Sequence, residues 1–184
     1  MVMSFFFHYQ NAAYLASKRR LSVTKAVLNA LQKAGYDKQK SCKVMIQSTH
    51  SSVLKIFKDK SKYERVYKVD ENIHDADDKA IDDIKTFADS IVLQKASVFT
   101  QNLAFLVNST NTVARLQSFK LPVYVETFSN EFVSQAWDYY SDPSVEINSF
   151  VLGAKVNGII TDFPKTAVRY TSKYKILYKT LLLE

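Results

Sequence analysis

Residues 155–170, with the sequence KVNGIITDFPKTAVRY, constrain the fold more than any other stretch of this chain. A short apolar run ends there in the polar pair Thr161 and Asp162, and Pro164 follows. An apolar run closed by a turn is typical of a buried strand whose carboxyl end carries hydrogen-bonding side chains. Proline cannot donate a hydrogen bond to a sheet, but its fixed φ suits the first turn of a helix. The stretch therefore predicts one βα unit of a parallel sheet.

The same alternation recurs along the chain. We predict strands, in chain order, at residues 4–10, 43–48, 65–70, 90–95, 122–127 and 156–162. We predict helices at residues 22–34, 51–58, 75–89, 102–118, 145–152 and 165–170. Strands that alternate with helices pair in parallel through right-handed crossovers, which leaves an open doubly wound sheet or part of a (β/α)8 barrel. A complete barrel takes about 250 residues and eight units, so a chain of 184 residues is short of it by about two units.

The charge and composition of the chain exclude several classes of protein. The net charge is +7, but the basic residues are scattered and interrupted by acids, as on a solvated surface, so we expect no nucleic-acid partner. Only 3 glycines are present, too few for the glycine-rich loop of a P-loop or dinucleotide-binding protein. Cys42 is the only cysteine, so the sequence predicts neither an internal disulfide nor a zinc site.

Neither end of the sequence has the pattern of a membrane or export signal. Residues 1–7 are apolar but lack the positive start and the long apolar core of a secretion signal. Residues 177–183 are too short to span a bilayer and are interrupted by Lys179. We therefore expect no transmembrane segment, and the sequence leaves the localisation open.

Several short motifs resemble those of one enzyme family. They are, in chain order, NAAYLA at residues 11–16, KVMIQST at 43–49, YKVDE at 67–71, VYVETFSNE at 123–131, VEINS at 145–149 and NGIITDFP at 157–164. In content and order they resemble the glycerophosphodiester phosphodiesterase family, and in particular its plant, cell-wall-associated branch. The resemblance runs from about residue 10 to residue 170. It implies a barrel domain at residues 1–170 and a divergent basic and aromatic tail at residues 171–184.

The resemblance implies a fold, a reaction and a cofactor. The family folds as a (β/α)8 barrel and hydrolyses glycerophosphodiesters to glycerol 3-phosphate and an alcohol, a reaction of lipid and glycerol metabolism. It uses a calcium or magnesium ion held by carboxylates, and two histidines as acid and base. Within that scheme this chain is an α/β protein, a partial (β/α)8 TIM barrel with roughly the last six βα units and parallel strands. Its relatives lie at the cell wall or the outer face of the plasma membrane, and its implied ligand is a small glycerophosphodiester.

The residues that the family uses for catalysis are missing from this sequence. The His-Arg-Gly and Glu-x-Asp motifs are absent, and Gln10 stands where the family has a metal-binding glutamate. A hard cation prefers charged oxygen ligands, and a carboxamide offers only a neutral oxygen. We therefore assign no catalytic and no metal-binding residue, and we expect the chain alone to bind no calcium or magnesium and to be inactive. The alternative is a non-catalytic module that binds a cell-surface polysaccharide or a partner chain, or that self-associates through the open edges of its sheet.

None of the three histidines replaces the missing acid and base. His8 lies two residues before Gln10 and deeper on the same side of its strand, which predicts a core histidine. His50 follows the polar end of the strand at residues 43–48, and a helix cap is its simplest interpretation. His74 lies in an acidic stretch, which is more typical of the first turn of a helix than of a metal site.

Polar side chains at the carboxyl ends of the predicted strands are the remaining candidates for a site, because barrel folds place their sites there. These candidates are Gln47 or Ser48, Lys68 or Asp70, Lys95, Glu126 and Asp162. We predict substrate-binding roles for Gln47, Lys95 and Glu126. Lys95 could neutralise a phosphate, and Glu126 could hold a substrate hydroxyl. The alternative is that these groups pair with one another as salt bridges, and for Asp162 we predict a cap of the following helix.

Two further motifs suit a surface of the protein. The triplet at residues 108–110 is an N-glycosylation sequon, and it would carry a glycan on Asn108 only if the protein were exported. The aromatic run WDYY at residues 137–140 is either a platform for sugars or bases, or the packing of a loop over the barrel.

Overall fold

The computed structural model describes residues 4–9, 15, 18, 22–38, 43–73, 75 and 77–181, and of residues 4–9 and 173–181 it describes only the backbone. The chain divides into two compact units, the first of residues 2–70 and 77–92 and the second of residues 71–76 and 93–184. No helix in the described part of the chain has the length and apolarity needed to cross a bilayer.

The first unit consists of parallel strands that alternate with helices. Its elements are β1 (Ser4–Tyr9), α1 (Val23–Lys33), β2 (Lys43–Ser48), α2 (Ser51–Lys60), β3 (Glu64–Lys68), α3 (Asp78–Phe87) and β4 (Ser90–Gln94), whose last two residues belong to the second unit. The strands lie in the order β1-β2-β3-β4, and all are parallel. Ser48 pairs with Tyr9 on one side and with Tyr67 on the other, so the carboxyl ends of these strands meet at one edge of the sheet.

The core of the first unit follows from helical and strand periodicity. Val53, Leu54 and Phe57 lie on one face of α2 and are almost completely buried, because positions i, i+1 and i+4 of a helix share a face. They belong to one hydrophobic cluster with alternate residues of β2, Val44 and Ile46. Each large apolar side chain buried in this way stabilises the fold by about 1.5–3 kcal/mol.

The second unit contains a parallel pair of strands, an antiparallel hairpin and further helices. Its elements are β5 (Phe99–Asn102), β6 (Phe105–Ser109), α4 (Thr112–Ser118), β7 (Val123–Phe128), α5 (Pro143–Asn148), β8 (Gly158–Thr161) and α6 (Pro164–Leu181). Short 3₁₀ turns lie at Lys95–Ser97, Phe132–Ser134 and Trp137–Tyr139, and a π-helical turn lies at Ser149–Gly153. Strands β7 and β8 are parallel, whereas β5 and β6 form the hairpin. Phe150 packs edge to face on both Phe99 and Phe128, which ties the π-helical turn to the hairpin and to β7.

The predicted fold class is confirmed. The protein is an α/β protein with the strand–helix alternation of a partial (β/α)8 barrel, with β1, β2, β3 and β4 parallel in the first unit and β7 and β8 parallel in the second. Strand β2 has the predicted bounds, and the other five overlap their predictions. Helix α6 continues through residue 170, and the domain limits at 1–170 and 171–184 stay a prediction.

The helix predicted at residues 102–118 is wrong over its first half. Residues 99–109 form the hairpin instead, and only Thr112–Ser118 is helical. Leu103 and Ala104 take left-handed φ values of 47° and 67°, which makes the tight two-residue turn that joins antiparallel strands. The sequence did not reveal the turn because such a turn usually carries asparagine or glycine, whereas this one carries leucine and alanine.

Candidate functional site

Lys95 follows the carboxyl end of β4 and forms a buried ion pair. Its Nζ donates a hydrogen bond to Glu146 Oε1 at 2.8 Å and a second to the backbone carbonyl of Ser134 at 2.9 Å. The same nitrogen lies 5.5 Å from the centre of the Phe128 ring. The exposed fraction is 15% for the Lys95 side chain and 1% for that of Glu146. These contacts hold α5, the 3₁₀ turn Phe132–Ser134 and the end of β7 around the lysine.

Burial changes the ionisation of the groups around this pair. Burial raises the pKa of the Glu146 carboxyl, and the hydrogen bond and charge of Lys95 oppose that rise without cancelling it. Burial, followed by the charges of Glu146 and Asp138, also raises the pKa of the Tyr139 phenol. Among the described residues, five buried side-chain oxygens lack a hydrogen-bond partner, and three of them are Glu146 Oε2, Tyr139 Oη and Gln135 Oε1. Because Glu146 and Tyr139 are shielded from solvent, they position their neighbours and cannot meet a dissolved substrate.

Glu126 lies near the carboxyl end of β7, where the ladder to β8 is irregular. Its side chain is buried. The register between the two strands shifts between Val125 and Phe128, so the regular pairing passes over Glu126. An irregularity of this kind re-aims the side chains of the strand that carries it. The alternative predicted for Lys95 was a salt bridge with another of the strand-end candidates, whereas the structure pairs Lys95 with Glu146, which the sequence did not single out.

In the first unit, Gln47 and Ser48 form the buried carboxyl end of β2. Ser48 Oγ accepts a hydrogen bond from the backbone N–H of His50 at 3.1 Å. His50 occupies the N-cap position of α2 as predicted, but its side chain makes no capping hydrogen bond. The expected capping role is therefore wrong, because the hydroxyl of Ser48 binds the chain at this turn instead.

The other candidates at strand ends are exposed or pair locally. Lys68 Nζ lies 3.5 Å from Asp70 Oδ1, an ion pair of two residues in the same strand end. Asp162 is exposed, and the side chain that binds the backbone just ahead of α6 is its neighbour Thr161, whose Oγ1 accepts from the N–H of Phe163 at 2.9 Å. A local ion pair with one exposed partner, such as Lys68 with Asp70, contributes little to stability.

The donor groups of the described residues do not fit a hard cation. Within that part of the chain, no group of three or more His, Cys, Asp and Glu side chains lies together as metal ligands would. Calcium and magnesium need several oxygen ligands, most of them charged. Gln10, His74 and Cys42 lie outside the described residues, and so does the side chain of His8. The roles predicted for these residues stay predictions.

A cleft of about 780 Å³ lies at the opposite, amino-terminal ends of β2 and β3. Two ion pairs line it, one between Lys43 and Glu64 and one between Arg65 and Asp89. Arg65 Nε and the backbone N–H of Arg65 both donate to Asp89 Oδ2, each at 2.9 Å. In barrel folds the amino-terminal face contributes to stability, whereas the functional site lies at the carboxyl-terminal face. We therefore interpret these ion pairs as structural.

Comparison with known proteins gives the family. The family model described as the glycerophosphoryl diester phosphodiesterase family matches residues 9–166. The chain belongs to this family. The predicted membership is confirmed, and so is the plant branch, because the similar proteins that follow are from Arabidopsis thaliana.

Three similar proteins illustrate the relationship. Glycerophosphodiester phosphodiesterase GDPDL3 is 56% identical over 161 residues, GDPDL1 is 56% identical over 162 residues, and GDPDL5 is 49% identical over 167 residues, all from Arabidopsis thaliana. Each match covers 88% of this chain and 21%, 21% and 23% of the respective relative. The chain therefore spans about a fifth of the length of the curated relatives it matches.

Sequence reasoning missed Glu146 in this phosphodiesterase-family chain. The residue lies inside the motif VEINS at residues 145–149, which helped to carry the resemblance. The only signal in the sequence is that Glu146 is the one charged residue of its helix, and the helical period does not tell which side of that helix is buried. The aromatic run at residues 137–140 was predicted to be either a ligand platform or the packing of a loop. Tyr139 is buried, as packing requires, whereas Trp137 and Tyr140 are exposed, as a platform requires.

Proposed function

We propose that this chain has the scaffold of a glycerophosphodiester phosphodiesterase but does not, by itself, hydrolyse glycerophosphodiesters. The family supplies the substrate class, a small glycerophosphodiester of lipid and glycerol metabolism. The absent His-Arg-Gly and Glu-x-Asp motifs and the carboxamide of Gln10 support the lack of activity. In this view the chain holds part of the catalytic barrel, and calcium or magnesium does not bind to it.

The structural observation that supports the proposal is the ion pair of Lys95. A lysine that neutralises a phosphate must present its ammonium group to the ligand, but Lys95 Nζ is engaged by Glu146, by the carbonyl of Ser134 and by the ring of Phe128. Moving it to a substrate would leave a buried carboxylate without its cation, which costs about 3–5 kcal/mol. The cost of freeing its ammonium group weighs against a substrate contact by Lys95. Substrate contacts by Glu126 and Gln47 remain proposals.

The test is an assay of the purified chain. The chain is incubated with glycerophosphocholine and calcium, and glycerol 3-phosphate is measured, with a complete relative as the positive control. We expect no release above background. A matched variant, Gln10→Glu, restores the family's glutamate, and we expect it to remain inactive and to bind no calcium by calorimetry, because a single carboxylate does not form a calcium site. Turnover by the unmodified chain within roughly a few hundred-fold of the complete relative would overturn the proposal.

A second candidate function is a non-catalytic module at the cell surface that binds a polysaccharide or a partner chain. It is favoured by the exposed side chains of Trp137 and Tyr140, because exposed aromatic side chains are typical of an interaction surface. Self-association through open strand edges is a third arrangement, since unpaired edge groups invite another strand. Light scattering distinguishes the binding module from self-association, because a monomer at all concentrations would argue against self-association.

A further inference from the structure

The second unit presents an apolar surface to solvent, which we name the hairpin surface. It consists of Leu103 at the tip of the hairpin, Phe105 on β6, and Trp137 and Tyr140 at the neighbouring 3₁₀ turn. The exposed fractions of these side chains are 86%, 48%, 53% and 86%. Clustered exposed apolar side chains are typical of an interaction site, whereas single ones are ordinary.

The hairpin surface is held in a fixed arrangement. The backbone N–H of Trp137 donates to the carbonyl of Ala104 at 2.9 Å, and Asp138 Oδ2 accepts from the N–H of Leu106 at 2.8 Å. The rings of Phe105 and Trp137 meet edge to face, with centres 5.1 Å apart and an interplanar angle of 74°. These contacts cross-link the hairpin to the 3₁₀ turn, so the rings of Phe105 and Trp137 are ordered before any ligand arrives. A surface ordered in advance loses less entropy on binding.

Backbone strain lies beneath the two most exposed side chains. Leu103 and Tyr140 both have left-handed φ values, of 47° and 54°, a region that disfavours residues with a Cβ. The strain costs of order 1–3 kcal/mol per residue and persists where the surrounding structure imposes it. Two large apolar side chains are thus held out in solvent at positions where a glycine or asparagine would be less strained.

The segments that contain the hairpin surface indicate the chemistry of its ligand by their charges. Residues 96–114 contain no charged residue, and residues 121–154 contain five acids and neither lysine nor arginine. A phosphate, a nucleic acid or an anionic membrane would find no cation in these segments. Exposed amides are close by in sequence, at Gln101, Asn102 and Asn108. Aromatic faces with amide and carboxylate neighbours suit a neutral polyol, because its C–H groups pack on the negative face of a ring while its hydroxyls hydrogen-bond to amides.

We propose that the hairpin surface binds a neutral carbohydrate chain. The inference rests on the second candidate function, and it names the ligand class and the residues of that site. Leu103, Trp137 and Tyr140 contact the apolar faces of successive sugar rings, and Phe105 supports Trp137 from the side. Binding at this surface involves none of the residues predicted to contact a glycerophosphodiester.

The experiment uses the tryptophan as a reporter, because the chain contains only 1 tryptophan, Trp137. The full chain is titrated with cellohexaose, a neutral oligosaccharide, and the emission of Trp137 is recorded. We expect a saturable blue shift as the ring leaves water. We expect Tyr140→Ala to weaken binding by about tenfold and Leu103→Ala by about threefold. The matched control is Leu152→Ala, another exposed leucine of the same unit, which should change the affinity by less than about twofold.

Several results would overturn the inference. The first is no shift of the Trp137 emission up to the solubility limit of cellohexaose, and the second is a shift that depends on protein concentration alone. The third is a shift produced by phosphatidylcholine vesicles and not by cellohexaose. The fourth is an equal loss of affinity in Leu103→Ala and Leu152→Ala. Thermal unfolding of each variant verifies that a loss of binding is not a loss of fold. The binding assay requires no turnover, so the two proposals can fail separately. Release of glycerol 3-phosphate would refute the proposed inactivity but not carbohydrate binding. An absent emission shift would refute carbohydrate binding but not the proposed inactivity.

Discussion

Replacing Lys95 by methionine removes the cation from a buried carboxylate while keeping most of the side-chain volume. Glu146 is 1% exposed, so water cannot replace the ammonium group. The variant loses the hydrogen bond to Glu146 Oε1 and the hydrogen bond to the carbonyl of Ser134. Removing one partner of a buried ion pair costs about 3–5 kcal/mol, and the lost contact with the ring of Phe128 adds about 0.5–1 kcal/mol. We therefore expect Lys95→Met to lower the free energy of unfolding at pH 7 by about 4 kcal/mol.

The double variant Lys95→Met with Glu146→Gln separates the buried charge from lost packing. Its neutral amide needs no cation, so we expect it to recover more than half of the stability lost in Lys95→Met. Urea unfolding monitored by circular dichroism measures both values from the midpoint at constant slope. A loss below about 1 kcal/mol in Lys95→Met, or no recovery in the double variant, would refute the reasoning.

The cost of Lys95→Met should also depend on pH. The pKa of Glu146 is raised in the folded protein, mainly by burial, so between the ordinary and the raised value the folded state holds more protons than the unfolded state. In that window stability falls as pH rises, and the variant widens the window upward because Lys95 no longer lowers the pKa. Below the ordinary pKa of a glutamate, Glu146 is protonated in both states and the cost should be smallest. A cost that does not shrink on acidification would contradict a buried charge.

Two further predictions concern packing, and both use urea unfolding. Gly158→Ala places a Cβ 2.9 Å from Tyr124 Cδ1, so we expect the free energy of unfolding to fall by about 1–3 kcal/mol. The control Gly153→Ala places a Cβ with no atom within 4 Å and should be neutral or slightly stabilising. Equal effects of the two substitutions would argue against the close contact at Gly158. Phe57→Ala removes a completely buried ring and should lower the free energy of unfolding by about 3–5 kcal/mol. The control Ile56→Ala, at a neighbouring position that is 37% exposed, should lower it by less than about 1.5 kcal/mol. Similar losses at both positions would show that α2 packs through another face.

The fold was largely predictable because its strands and helices have clear periodicity. Residues 44–46 are apolar and have polar residues on both sides, and residues 43–48 form β2 with the predicted ends. Val53, Leu54 and Phe57 are spaced as one helix face and are buried as that spacing requires. The hairpin was not predictable, because Leu103 and Ala104 adopt turn conformations for which neither residue has an intrinsic preference.

The candidate site was predictable only in part. The sequence placed Gln47, Lys95 and Glu126 at strand ends, and the structure has them there. It could not supply the partner of Lys95, because Glu146 lies 51 residues further along the chain and no local pattern links the two. Periodicity describes one element at a time, whereas an ion pair between elements depends on how they pack.

The turn at the tip of the hairpin has a consequence for how barrels of this family can diverge. The hairpin is anchored by main-chain hydrogen bonds, from the N–H of Thr110 to the carbonyl of Val98 and from the N–H of Trp137 to the carbonyl of Ala104, each 2.9 Å long. Such anchors do not depend on which side chains the tip carries. Residues that tolerate the left-handed φ of Leu103 and Ala104 can therefore be exchanged at the tip while the path of the chain is kept, so a new recognition sequence can be grafted there without rebuilding the sheet.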